Sequence, residues 1–283
     1  MSTEEKPTPA GIYRFTSIAR PVDPAYPTNR ALLIVAPIGA AVFAVLALLG
    51  VVDAAPLSAM LSALLIGFAA WAFTRELTPD DDAAAFVALA LAWIMSAVTG
   101  ATGVLLTFAA LFLARIVNRT TGLAARPWDI VMVGGFVLWA SWNLGQPLLA
   151  LTGALAFAID ARLARTRALP VAAAVVFAGF SIWLFAEGGF ELRLWDAAWL
   201  VPAIALAAAV VTNVLSGAPR SRGDVYQELL STTRVRAGLV IGGLVAAQSL
   251  LHGVPWQADV IWACVAAVPL SAAVRAVLPK KTA

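Results

Sequence analysis

The chain has 283 residues, 61% of them hydrophobic and only 12% charged, with a mean hydropathy of +0.88 and a net charge of +3. A soluble domain carries about 25% charged residues, so charge this sparse cannot cover a water-exposed surface, and lipid must be the solvent for most of the exterior. The small positive balance excludes a nucleic-acid partner, because no basic face with interleaved aromatics exists.

Residues 1–30 hold Glu4, Glu5 and Lys6, followed by Pro7, Pro9, Pro21, Pro24 and Pro27. That order lacks the basic start, short apolar stretch and small-residue site of a signal peptide. The segment reads as a cytoplasmic Pro-rich tail whose Tyr13, Phe15, Ile18 and Tyr26 suit a partly interfacial position. Ten apolar runs follow, at 31–52, 57–73, 82–98, 102–118, 128–143, 147–162, 169–186, 196–216, 237–252 and 257–277. A span needs about 20 residues. The fifth and sixth are short and share the apolar stretch between Asp129 and Asp160, with Gly145-Gln146-Pro147 as the break. The alternative is eight spans with this pair as a re-entrant hairpin. The organisation is a tail at 1–30, a bundle at 31–278 and a cytoplasmic tail at 279–283. Ten spans would also allow two inverted five-helix halves near 30–145 and 146–278.

Threading these runs places all but one of the nineteen Lys and Arg residues on the side of the N-terminus. Only Arg193 falls on the other side, among Asp53, Glu187, Glu191, Asp196 and Asp259. The Lys/Arg bias is the orienting signal, and it puts both termini inside a cytoplasmic, bacterial-type inner membrane. The tryptophans agree. Trp139, Trp142, Trp183, Trp195, Trp199 and Trp256 fall at outer ends, and Trp71 and Trp128 at inner ends, the headgroup level that indole prefers. The expected fold class is therefore an all-α polytopic transmembrane helical bundle. In the loop 217–236, Val225, Tyr226, Leu229 and Leu230 would share one face of a short surface helix.

Two polar junctions on the inner side carry the residue types of phosphate chemistry. One is Thr74-Arg75-Glu76-Leu77-Thr78-Pro79-Asp80-Asp81-Asp82, and the other runs from Arg115 through Asn118 and Arg119 to Asp129. Carboxylates hold Mg²⁺ and arginines clamp phosphate bidentately. Arg75, Asp80, Asp81, Asp82, Asn118 and Arg119 are thus the candidate catalytic set of a lipid phosphate or diphosphate enzyme, the one reading that needs a cofactor, Mg²⁺. The same residues fit helix-terminus chemistry: Thr78 as a cap, Pro79 in the first turn, and acids near the positive helix end. The stretch Arg119-Thr120-Thr121-Gly122-Leu123-Ala124-Ala125-Arg126-Pro127 is similar to the Arg-Thr…Arg-Pro loop of intramembrane polyprenyltransferases. That resemblance implies spaced aspartates on the preceding helix. Here that helix offers Arg115 and Asn118 but no aspartate, and Asp160 stands alone in the other half. Ten short spans in about 280 residues also resemble, by shape alone, the drug/metabolite transporter superfamily.

Asn143, Gln146, Gln248 and His252 lie in or near the spans and are the candidate substrate path of a permease for a small neutral or amphipathic solute. Uncharged polar groups also join helices, at about 0.6 kcal/mol each. No charged residue lies near the middle of any span, so ion coupling through a membrane carboxylate is disfavoured. One His and one Cys, Cys264, offer no metal-ligand spacing. The third reading is a non-catalytic membrane partner or assembly factor. The expected partners are the lipid bilayer and a small solute or lipid; the sequence names no protein partner.

Overall fold

The computed structural model describes residues 9–100, 103–164, 168–188, 200–251 and 258–277. They form an all-helical bundle: α1 (Pro27–Leu48), α2 (Pro56–Leu77), α3 (Asp82–Thr99), α4 (Val104–Asn118), α5 (Pro127–Asn143), α6 (Pro147–Ala164), α7 (Ala168–Ala186), α8 (Leu200–Leu215), α9 (Thr232–Leu251) and α10 (Asp259–Val277), preceded by a 3-10 turn at Gly11–Arg14. Seven of them, α1, α2, α3, α6, α7, α9 and α10, are long and apolar enough to cross a membrane. These are the helices of a multi-pass membrane protein. Large apolar side chains stand bare on the outside, Val98 at 81% and Leu215 at 80% exposure among them, which is tolerable only where lipid covers them.

Proline starts α1, α2 and α5 in the first turn, where the missing N–H costs no hydrogen bond. Small residues then set the packing distance. Gly39 and Gly67 face the Trp93 ring, whose N–H donates to the Ala63 carbonyl at 2.9 Å. Gly153 seats the ring of Phe177, and Gly242 lies against Phe73 and Leu77. The interior is built on α2, α4, α9 and α10. Helix α1 packs chiefly on α2, and α8 on α10 and α9. Helix α7 packs on α5 and α6. The two halves do not repeat one another: α3 lies along α10, whereas α8 has no comparable packing on α5.

Helix boundaries differ from the sequence reading where charges are paired. Helix α2 continues to Leu77 and α9 begins at Thr232, because Arg75, Glu76 and Arg234 find partners at the bundle end and need not leave the helix for water. Thr78 caps the C-terminus of α2 instead of starting α3, and Asp81 is the α3 N-cap, accepting from the Ala84 amide at 3.2 Å. The surface helix expected around Val225–Leu230 does not form. Those residues make a tight turn closed by an antiparallel bridge between Arg222 and Leu229. The Gly223 amide donates to the Glu228 carbonyl at 2.8 Å, and the Val225 amide to the Thr121 carbonyl at 3.0 Å. The turn gains partners from the α4–α5 loop that an isolated helix would lack.

The tail is not free at its C-terminal half. Asp129 accepts from the Ser17 amide at 2.8 Å, from the Ser17 hydroxyl at 2.6 Å and from the Thr16 hydroxyl. Arg126 donates to the Tyr13 and Arg14 carbonyls. Residues 10–25 therefore strap the end of the bundle where α2, α4 and α6 finish and α3, α5 and α9 begin.

Candidate functional site

The strapped end is a network of buried carboxylates, each surrounded by donors. Glu76, fully buried on α2, accepts from Arg115 Nε at 3.2 Å and from the Thr120 hydroxyl at 3.2 Å, with Arg20 at 3.6 Å. Asn118 Nδ2 donates to the Glu76 carbonyl at 2.8 Å. Asp160, 1% exposed on α6, accepts from both Arg119 and Arg234. Buried charge persists only when paired in this way.

The candidate catalytic set is spread over several contacts: Arg75 lines a cavity under the strap, and Asp80 and Asp81 line a separate one of about 280 Å³ with Arg220, Arg236 and Arg275. Asn118 serves Glu76, and Arg119 serves Asp160. Arg75 donates to Asn29 at 3.1 Å, stands 3.7 Å from Asp82, and lies over the Trp71 ring at 4.8 Å. Asp81 pairs with Arg275 at 2.6 Å. Asp80 accepts from the amides of Arg220 and Ser221 at 2.8 and 2.7 Å and from the Ser221 hydroxyl at 2.6 Å. Partial burial opposes ionisation of Asp80, but those hydrogen bonds and the Arg220 charge outweigh it and hold the carboxyl below the usual carboxylate range. Among the described residues no three His, Cys, Asp or Glu side chains group as metal ligands do. Trp71, expected in an interfacial belt, is a buried wall residue at 4% exposure, whereas Trp128, Trp139, Trp142 and Trp183 are exposed as a belt requires.

The substrate-path residues separate. Asn143 is exposed, and its Nδ2 donates to the Trp139 carbonyl of its own helix at 3.0 Å. Gln146 is buried in the α5–α6 turn with its Oε1 unpartnered. His252 lies outside the described residues. Gln248 stands on the wall of a large cleft. Helices α7 and α9 both pack on α6 but not on each other, and the gap between them is a cleft of about 960 Å³. Leu151, Leu155, Val171, Val175 and Leu244 line it, Thr152 and Gln248 are its uncharged polar groups, and exposed Arg162 stands at its basic end. On α6 it runs from Leu148 to Arg162, about 21 Å at 1.5 Å per residue.

The Thr152 hydroxyl is satisfied by the Leu148 carbonyl at 2.8 Å. Gln248 is 2% exposed, and among the described residues neither its Oε1 nor its Nε2 has a partner. A buried amide without partners costs its full desolvation penalty, about 1–3 kcal/mol. The sequence marks Gln248 through its polarity in an apolar run, but the rest of the cleft carries no such signal. Leu155 and Val175 read as ordinary lipid-facing residues until α7 and α9 diverge.

No protein-family model, curated protein or solved structure matches the chain. The architectural likeness to drug/metabolite transporters therefore carries no argument.

Proposed function

We propose that the protein is a permease for an amphipathic solute: an apolar body bearing one uncharged group that both donates and accepts a hydrogen bond. The solute enters the α6–α7–α9 cleft sideways from the bilayer, lays its apolar body along Leu155 and Val175, and presents its polar group to Gln248. The observation that carries this reading is the Gln248 amide, buried at 2% exposure in the cleft wall with both polar atoms unpartnered. Every charged residue in the described helices lies within four residues of a helix terminus. Among the described residues no carboxylate lies near the middle of a helix, which supports facilitated passage without ion coupling. The Lys/Arg bias supports a cytoplasmic side for the strapped end, and the membrane proposed is a bacterial-type inner membrane.

Native mass spectrometry of the protein extracted gently from its own membrane tests this. An amphiphile retained by the wild type and lost from Gln248→Leu supports the reading, and its release from liposomes loaded with that amphiphile then tests movement. A wild-type protein that carries none, or a Gln248→Leu variant that carries it equally, overturns the proposal.

A further inference from the structure

A second cavity, of about 510 Å³, opens at the strapped end and shares no lining residue with the cleft. Several elements build it, α1 among them through Asn29. The strap supplies Arg20, α2 supplies Trp71 and Arg75, α4 supplies Arg115, and the turn between α8 and α9 supplies Arg222 and Asp224. Four guanidinium groups thus converge on one space, where the carboxylates are Asp23 and Asp224. With Glu76 beneath them and Asp82 beside Arg75 the carboxylates also number four, so what distinguishes the site is how unevenly those carboxylates are shared.

The pairing pattern sharpens the point. Asp224 is taken up by Arg20, through Nε at 2.7 Å and Nη2 at 2.9 Å. Glu76 is taken up by Arg115 and Thr120. Arg75 and Arg222 have weaker engagements: Arg75 with the Asn29 amide oxygen and an Asp82 carboxylate 3.7 Å away, and Arg222 with the Gln227 carbonyl of its own turn at 2.7 Å. The independent observation is Trp71. Its ring is 4% exposed in the cavity wall, and its indole N–H is buried with no acceptor. The loosely engaged forks of Arg75 and Arg222 and the unpartnered Trp71 N–H together present donors suited to an anion with several oxygens. Arginine forks fit the tetrahedral oxygens of phosphate, and their charge-assisted bonds are the strong ones. The volume exceeds that of a phosphate group alone and lies within the range of small-molecule sites, so the anion has room for the group esterified to it.

We propose that this cavity binds a phosphate-bearing anion, gripped by Arg75 and Arg222 over the Trp71 indole N–H, with Arg20 and Arg115 held in the wall by Asp224 and Glu76. Two sources share that chemistry, the headgroup of an acidic phospholipid and a soluble phosphate ester.

Calorimetric titration of the purified full-length chain in neutral detergent separates them. One arm uses inorganic pyrophosphate, and the other a phosphatidate with six-carbon acyl chains. Saturable binding of pyrophosphate assigns a soluble ligand, and binding of the phosphatidate alone assigns a lipid headgroup. In either case Arg222→Gln weakens affinity on the order of tenfold, as expected for the loss of one charge-assisted contact. Arg222 is exposed and its side chain donates to the Gln227 carbonyl of its own turn, so the substitution leaves the bundle core untouched. Trp71→Phe keeps the ring and weakens binding severalfold by removing the N–H alone. Failure of the wild type to bind either probe overturns the proposal, as does unchanged affinity in both Arg222→Gln and Trp71→Phe.

Discussion

Arg119 and Asp160 meet as two parallel hydrogen bonds, Nε to Oδ1 at 2.9 Å and Nη2 to Oδ2 at 3.0 Å, across 41 residues of chain. Arg119 caps α4 in the left-handed region, with φ of 53°, a conformation uncommon outside glycine and asparagine. The strain is tolerable because the bidentate pair fixes the side chain. Arg234 adds a third bond to the same carboxylate at 2.9 Å and a fourth to the Val117 carbonyl at 2.8 Å. One aspartate therefore joins α4, α6 and α9.

Asp160→Ala leaves two guanidinium groups facing each other at a site from which most water is excluded. Removal of one partner from a buried pair costs about 3–5 kcal/mol. We expect the lower part of that range, because both arginines retain some solvent contact. The measurement is equilibrium unfolding in detergent. A loss below about 1 kcal/mol, the range of a surface pair, would show that the network does not hold the three helices.

Asp80 makes the turn that carries Arg222 dependent on pH. Its carboxyl is held below its ordinary value of 3.8 by the bonds from Ser221 and Arg220. A depressed carboxylate contributes stability that is present above the unfolded value and is lost as pH falls through the folded one. The turn should be fully clamped at neutral pH and released only below about pH 4. Hydrogen exchange at residues 217–231 checks this: Asp80→Asn should lose protection at pH 7, and the gap between variant and wild type should close in acid. Equal protection at pH 7 would remove Asp80 as the clamp.

Gly238 explains how Asn118 reaches Glu76. A Cβ at 238 would overlap the Asn118 amide, whose Nδ2 holds the Glu76 carbonyl at 2.8 Å. Gly238→Ala should cost about 1–3 kcal/mol by overpacking. Gly179→Ala, where a Cβ meets open space, should be neutral or slightly stabilising. The double variant Gly238→Ala/Asn118→Ala should be less destabilised than the sum of its parts, because the clash is gone. Strict additivity would place the cost elsewhere.

The all-helical class was legible from apolar run length and the scarcity of charge, since both follow from the solvent. The apolar runs at 57–73 and 237–252 stop short of helices α2 and α9 at their charged ends, because an unpaired Arg or Glu looks like loop. Glu76 and Arg234 stay helical only through partners dozens of residues away. The Val225–Leu230 turn failed for the same reason: its backbone partners lie on Thr120 and Thr121, and periodicity cannot see them. Asp80, Asp81 and Asp82 read as a metal-type cluster; each also serves the fold, as loop clamp, helix cap and ion pair, while Asp80 and Asp81 line one cavity. Side-chain direction, not spacing, decided that.

Gln248 offers the sharpest separation between stability and function. Among the described residues none pairs with its amide: Oε1 and Nε2 are both buried without partners, while the neighbouring Ser249 hydroxyl accepts from the Trp262 indole at 2.9 Å. Leucine has a similar volume and no polar atoms, so Gln248→Leu removes a desolvation penalty and should raise the unfolding free energy of the ligand-free protein by about 1–2 kcal/mol. A side chain kept for packing would give the opposite sign. The same variant should lose the stabilisation that a bound amphiphile confers on the wild type, since a ligand that binds only the folded state stabilises it by mass action. Thermal unfolding of both proteins, delipidated and then supplied with native lipid extract, reads both effects at once. A more stable variant that no longer responds to the extract fits an amide reserved for a ligand, whereas a destabilised variant would make Gln248 a structural residue and remove the cleft from the functional argument.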